Sequence, residues 1–206
     1  MRKLLAAVLL ALGAGGAAAD PAADRIAQRL ARTLADTPVL RAEFEQKKDM
    51  AAFSKPLVTR GNFVFARGTG VLWNIEAPLK LAYVISDERI VEIAADGKVQ
   101  VKSGQDVRGL AQVGRLFRAL LGAQSAELAE NFDAAGSESG PAWRMELRPK
   151  SAQLAHYLKR IELSGAQYVE ALRLEESAGD VSSIRFTRLR AATELDAGER
   201  ERFALR

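Results

Sequence analysis

Glu43 and Glu45 stand two residues apart in the segment VLRAEFEQKK, a spacing that turns both carboxylates of an extended strand to one face. Paired carboxylates on one face are the groups that acid–base chemistry such as glycoside hydrolysis requires. Arg41 and Lys47 share that face, however, and alternating charges of opposite sign make a solvated ladder rather than an acid–base pair. The chain has one histidine, His156, and no cysteine, which removes the usual Ser-His-Asp, Cys-His and zinc-ligand sets. His156 is expected at a helix end or on the surface. No Walker loop, glycine-rich dinucleotide turn or EF-hand loop is present. These residues predict neither an enzyme nor a cofactor or metal site.

The residue whose type is most at odds with its neighbours is Arg67, in GNFVFARGTGVLWNIEAP (61–78). In a strand, Phe63, Phe65 and Arg67 point the same way, so a guanidinium shares a face that reads as buried. It either meets hydrogen-bond acceptors there or ends its strand and snorkels to water.

Around these residues the chain alternates between two periods. From Pro21 to Asp36, Ile26, Leu30 and Leu34 recur at helical spacing, and Thr37-Pro38 ends the helix. The period then becomes two: VLRAEFEQKK, 57–67, 70–76 and 79–86 read as strands, and 89–95 and 98–102 as a hairpin turning at Asp96-Gly97. The connections are too short for helical crossovers, which predicts an antiparallel meander. A helical stripe follows, with Leu110, Val113, Leu116, Phe117, Leu120 and Leu121 opposite Arg108, Arg115 and Arg118, and a shorter helix at 125–130. AAGSESGPA (134–142) reads as a loop. Strands resume at 142–148, 158–164, 168–176 and 182–190, with a helical turn near 150–157. The expected fold is mainly β with α: about 10–11 antiparallel strands in an unclosed barrel, with helices as a lid over an apolar cavity.

The first 19 residues, MRKLLAAVLLALGAGGAAA, combine two cations, a short apolar run and a small-residue end, the pattern of a cleavable secretory signal. One domain over 20–206 is expected, exported and without disulfides. Of 30 basic residues the signal takes Arg2 and Lys3, leaving 28 against 26 acidic, a balance of +2. The charges are interleaved, as in ELDAGERERF, so nucleic-acid binding is not expected.

At FEQKK (44–48), KPLVTRGNFVFAR (55–67) and GVLWNIEAP (70–78) the sequence resembles the LolA family, periplasmic carriers of outer-membrane lipoproteins in Gram-negative bacteria. Phe44 and Gln46, then Gly61, Phe63, Phe65 and Arg67, then Trp73 and Pro78 carry the likeness, strongest over about 25–95. The resemblance implies a monomeric carrier in the periplasm that takes acyl chains into a cavity, receives cargo from an inner-membrane release complex and passes it to an outer-membrane acceptor. It implies Phe44, Phe63, Phe65, Val71, Trp73, Leu79, Leu81, Tyr83 and Ile85 as cavity lining, although the same residues would serve a packed core. Leu30, Leu110, Leu116, Phe117 and Leu120 fall on the lid helices, and Arg67 on the latch that holds the empty form closed. Where family members often have proline after the arginine, Gly68-Thr69-Gly70 implies a looser turn. Alternatives within the fold are a carrier of another acylated cargo, such as a glycolipid or aryl-polyene lipid, and a periplasmic lipid-sensing regulatory module. An acceptor of the LolB type would need a lipid-bearing cysteine, which this sequence lacks.

Overall fold

The computed structural model describes residues 20–86, 89–102 and 125–205. Residues 1–19, read as a secretory signal, and Leu110, Leu116, Phe117 and Leu120, expected on lid helices, lie outside the described residues.

Helix α1 (Pro21–Ala35) carries the predicted stripe, with Ile26, Leu30 and Leu34 buried, and is capped by Asp20, whose carboxylate accepts from the Ala22 amide. Six strands follow as a meander: β1 (Val39–Asp49), β2 (Leu57–Ala66), β3 (Gly70–Ala77), β4 (Leu81–Ile85), β5 (Ile90–Ala94) and β6 (Val99–Lys102). Helix α2 (Ser125–Asn131) leads into a second meander: β7 (Phe132–Ser139), β8 (Ala142–Pro149), the short helix α3 (Ala152–Ala155), β9 (Leu158–Gly165), β10 (Val169–Glu176) and β11 (Val181–Ala192). Helix α4 (Ala197–Phe203) comes last.

All eleven strands form one antiparallel sheet that is not closed, in the order β6-β5-β4-β3-β2-β1-β11-β10-β9-β8-β7. The two meanders join through β1 and β11, residues far apart in sequence. At this seam the strands slip register between Arg41 and Glu43, and Arg188 on β11 adopts φ 53°. An extra residue of this kind bends and twists a strand locally. It also reverses the alternation: Ile184 and Phe186 face the core, and after the bulge Leu189 takes the inward place while Arg188 turns out to pair with Glu43.

Three expectations are corrected. AAGSESGPA is not a loop: its first part is the edge strand β7, paired with β8 over its whole length. β4 begins at Leu81, so Leu79 sits in the preceding turn, 77% exposed. A C-terminal helix, α4, stands where only interleaved charge was read. Its Asp196 and Glu199 form a reciprocal capping box.

The sheet buries apolar side chains on both faces. On the concave face the main cluster gathers Phe44, Phe63, Trp73, Trp143 and Phe186 with the stripe of α1. On the outer face of β2–β5, Val64, Leu72, Val84 and Val91 pack under Phe203 of α4.

Candidate functional site: the concave face and its helical cover

The concave face is built by alternation. Phe63 lies opposite Trp73 across the β2–β3 pair, and Phe44 faces Phe186 across the β1–β11 seam. Their rings interlock: Phe44 and Trp73 lie 4.1 Å apart between centroids, Phe63 and Phe186 5.5 Å, and Trp73 meets Phe63 and Phe186 edge-on at 5.9 and 6.1 Å. Of the lining positions read from the sequence, Phe44, Phe63, Phe65, Val71, Trp73 and Ile85 are buried in this cluster. Tyr83 is half-buried against it. Burial, with the Glu92 carboxylate beside it, pushes its phenol above the ordinary value. Leu81 is half-buried outside the cluster, and Leu79 is exposed.

Sequence reasoning missed the contribution of the second meander. Phe186, Trp143, Met145 and Leu172 complete the same face. The signal was present, since Trp143, Met145 and Leu147 alternate as cleanly as any residues of the first meander. The resemblance is strongest before residue 95, and the lining was drawn from there.

Helix α1 lies across this face, fastened at both ends by polar contacts. At its N-terminus the Asp20 carboxylate also accepts from the Gly136 amide of β7, 2.9 Å away, and these amide donors hold its acid below the ordinary value of 3.8. Gly136 permits the approach: a Cβ there would fall 2.6 Å from the Ala23 nitrogen. Arg25 and Arg29 both reach Glu138, at 3.2 and 3.5 Å. Just beyond the C-terminus, the Thr37 hydroxyl donates to Thr33 and lies 3.3 Å from the Tyr168 hydroxyl.

Arg67 answers the question raised by its place in the sequence. It follows the last residue of β2 and is exposed, and its Nη1 donates to the carbonyl of Ala35, the last residue of α1. Its own amide donates to the Pro38 carbonyl at 2.9 Å. A cation at a helix C-terminus also meets the negative end of the helix dipole. The turn expected to be loose is closed by a bond from the Thr69 amide to Ala66, and Gly70 packs so closely that a Cβ would lie 2.2 Å from the Ile85 carbonyl oxygen. The guanidinium therefore stands at the rim of the apolar face and clasps the end of its cover.

Among the described residues, Leu34 of α1 packs over the aromatic cluster of the concave face. An apolar cavity between Leu34, Leu40, Phe63, Tyr168 and Phe186 has a volume of about 10 Å³, about the least that holds one water. Among the described residues no group of three His, Asp or Glu could hold a metal, and no helix is long and apolar enough to cross a membrane. Glu43 and Glu45 are engaged with Arg188 and Arg60, and His156 ends α3 with its ring against Tyr157.

The concave side is thus an unclosed sheet whose apolar face is covered by a separately fastened helix. The family model for the outer membrane lipoprotein carrier protein LolA matches residues 35–200, and the chain belongs to that family. None of the curated proteins matches the sequence. Similar solved structures include a LolA superfamily protein from Nitrosomonas europaea, at 9% identity and TM-score 0.48 over 86% of this chain and 97% of that one. The Pseudomonas aeruginosa MucA/MucB complex aligns at 16% identity and TM-score 0.49, over 86% of this chain and 59% of the other. LprF from Mycobacterium bovis aligns at 8% identity and TM-score 0.42, over 88% and 99%. The family is one of carriers rather than enzymes.

Proposed function

We propose that the protein is a periplasmic carrier that takes the acyl chains of lipoproteins under α1 and ferries them from an inner-membrane release complex to an outer-membrane acceptor. The observation that carries this reading is the clasp between Arg67 and the Ala35 carbonyl, which joins the rim of the apolar face to the end of its cover. The form with α1 clasped is then the empty, closed one, and cargo enters as α1 moves away from the concave face. A hydrogen bond to a charged group contributes about 1.5–3 kcal/mol, and each buried methylene about 0.8 kcal/mol. A few methylenes offset the clasp, and an acyl chain supplies the burial that Ile26, Leu30 and Leu34 give up. Closure also leaves Nε and Nη2 of Arg29 buried without hydrogen-bond partners, a cost of about 1–3 kcal/mol that opening relieves. Arg67 is the latch in this scheme. Phe44, Phe63, Phe65, Val71, Trp73 and Ile85 are the surface the chains would meet, with Leu30 on the moving cover.

Native mass spectrometry of protein recovered gently from the periplasm tests the cargo. A co-migrating triacylated lipoprotein is expected. A glycolipid or pigment would reassign the protein to a dedicated lipid carrier, and an empty protein that also fails to release lipoproteins from spheroplasts would overturn the carrier reading. Arg67→Leu should keep lipid uptake and slow release roughly tenfold, the scale of one charge-assisted bond. Normal transfer kinetics in that variant would remove the latch.

A further inference from the structure

The outer face of the second meander carries a groove that the carrier reading does not use. Its volume is about 970 Å³, and every residue lining it lies on β1 or β7–β11. It shares Glu45 and Arg185 with a neighbouring recess of about 540 Å³ that reaches Arg60 and Glu76. Short side chains, Ser164, Ala171 and Ser183, make its floor between long charged ones.

The charges in this groove are unevenly matched. Each of its carboxylates is engaged by an arginine: Glu45 with Arg60 at 2.7 Å, Glu146 with Arg148 at 2.6 Å, and Glu162 with Arg160 at 3.3 Å. Lys47 pairs with Asp49. Arg144, Arg173 and Arg185 have no ion pair among the described residues, and Nη1 of Arg173 is buried with no hydrogen-bond partner. A buried donor of a charged group without an acceptor is costly, so an occupant that brings an acceptor to Arg173 is favoured.

Register sets the spacing of the three arginines. Arg185 lies between Ala171 on β10 and Glu45 on β1, Arg173 between Ser183 on β11 and Glu162 on β9, which makes the two arginines diagonal neighbours, while Arg144 faces Ser164 on β9; Glu45 and Glu162 turn instead to Arg60 and Arg160. From β8 to β11 is three strand spacings, about 14 Å. One phosphate group is too small to bridge that distance, and a flat bilayer surface does not enter a recess whose floor is serine and alanine. An extended chain places side chains of alternate residues about 7 Å apart, and guanidinium forks hold carboxylates in two-point contact.

We propose that this groove is a docking site for an extended acidic peptide segment of a partner protein, held by Arg144, Arg173 and Arg185. The site lies on the face opposite α1 and does not depend on what the concave face carries.

Fluorescence anisotropy with a labelled octaglutamate peptide and the full protein tests it at low and moderate salt. Saturable binding that weakens with salt is expected, falling roughly tenfold or more when Arg144, Arg173 and Arg185 are all changed to Ser, the scale of lost charge-assisted bonds. The same charge removed elsewhere, at Lys55, Lys80 and Arg190, should leave binding unchanged. Thermal melts test whether both triple variants fold, and Arg185→Ser alone, at an exposed position, should weaken binding about threefold if the triple variant does not fold. No saturable binding, or equal loss in the two triple variants, overturns the proposal. So does binding to phosphatidylglycerol vesicles without binding to the peptide, which would assign the groove to a membrane surface.

Discussion

Helices α1 and α4 cover opposite faces of one sheet, and they are fastened in different ways. In α4, Glu199 is 9% exposed, takes part in the capping box with Asp196 and also accepts Nε of Arg41 from β1 at 2.6 Å, with Nη2 of the same guanidinium on its other oxygen. Phe203 closes the outer-face cluster at 3% exposure. Three polar groups and one aromatic side chain thus converge on two turns of helix. In α1 the apolar stripe is larger, but its polar fastenings are dispersed: Asp20 on Gly136 at the N-terminus, Arg25 and Arg29 on Glu138 along the helix, and Arg67 and the buried Thr37 at the C-terminal end. A fork shared among side chains and backbone is lost as a unit, whereas separate bonds can be released one at a time. The comparison assigns α4 to holding the fold and α1 to covering the concave face.

The largest expected effect comes from breaking the fixed side. Phe203→Ala should lower global stability by about 3 kcal/mol, read by denaturant melts, with lipid exchange unchanged. If exchange changes as well, α4 also belongs to the moving part. Next comes Gly136→Ala, which puts a methyl group into the backbone of α1 and should cost about 2 kcal/mol, in the range of overpacking. Amide exchange should accelerate within 21–35 while the strands keep their protection. Equal loss of protection across the sheet would make α1 a structural layer rather than a cover.

The smallest effect concerns Asp20. Its folded acid constant lies below the ordinary 3.8, because the amides of Gly136 and Ala22 favour the carboxylate. A depressed acid contributes stability that is present above 3.8 and lost as the pH falls through the lower folded value. Protection of the α1 amides, taken relative to the intrinsic exchange rate at each pH, should therefore fall on acidification below about pH 4, and Asp20→Ala should reduce that response. An unchanged pH response in the variant would leave the N-terminal fastening without a role.

Much of the concave face was legible in sequence, and its gaps have physical causes. Phe63, Trp73 and Phe44 were readable because an alternating strand with one wet face writes its burial directly. β7 was not, since it holds Gly136 and small polar residues where α1 comes close to its backbone, a demand that removes the large apolar residues by which strands are recognised. Helix α4 left a signal in Asp196 followed three positions later by Glu199, hidden in a run of mixed charge. Arg188 and Leu189 break the alternation because of a bulge that exists only when β1 and β11 meet.

The sequence by itself determined the helix that opens the described chain, ten of the eleven strands, the class of an open antiparallel barrel and the anomaly at Arg67. These follow from local periodicity and turn chemistry, which act over a few residues. Only the tertiary structure decided that β1 and β11 join the two meanders, that Arg67 reaches the Ala35 carbonyl, that the stripe of α1 meets the aromatic cluster of the concave face, and that three arginines without an ion pair among the described residues share a groove. Each depends on residues brought together across long stretches of chain, where register and packing, not neighbouring sequence, determine which groups meet.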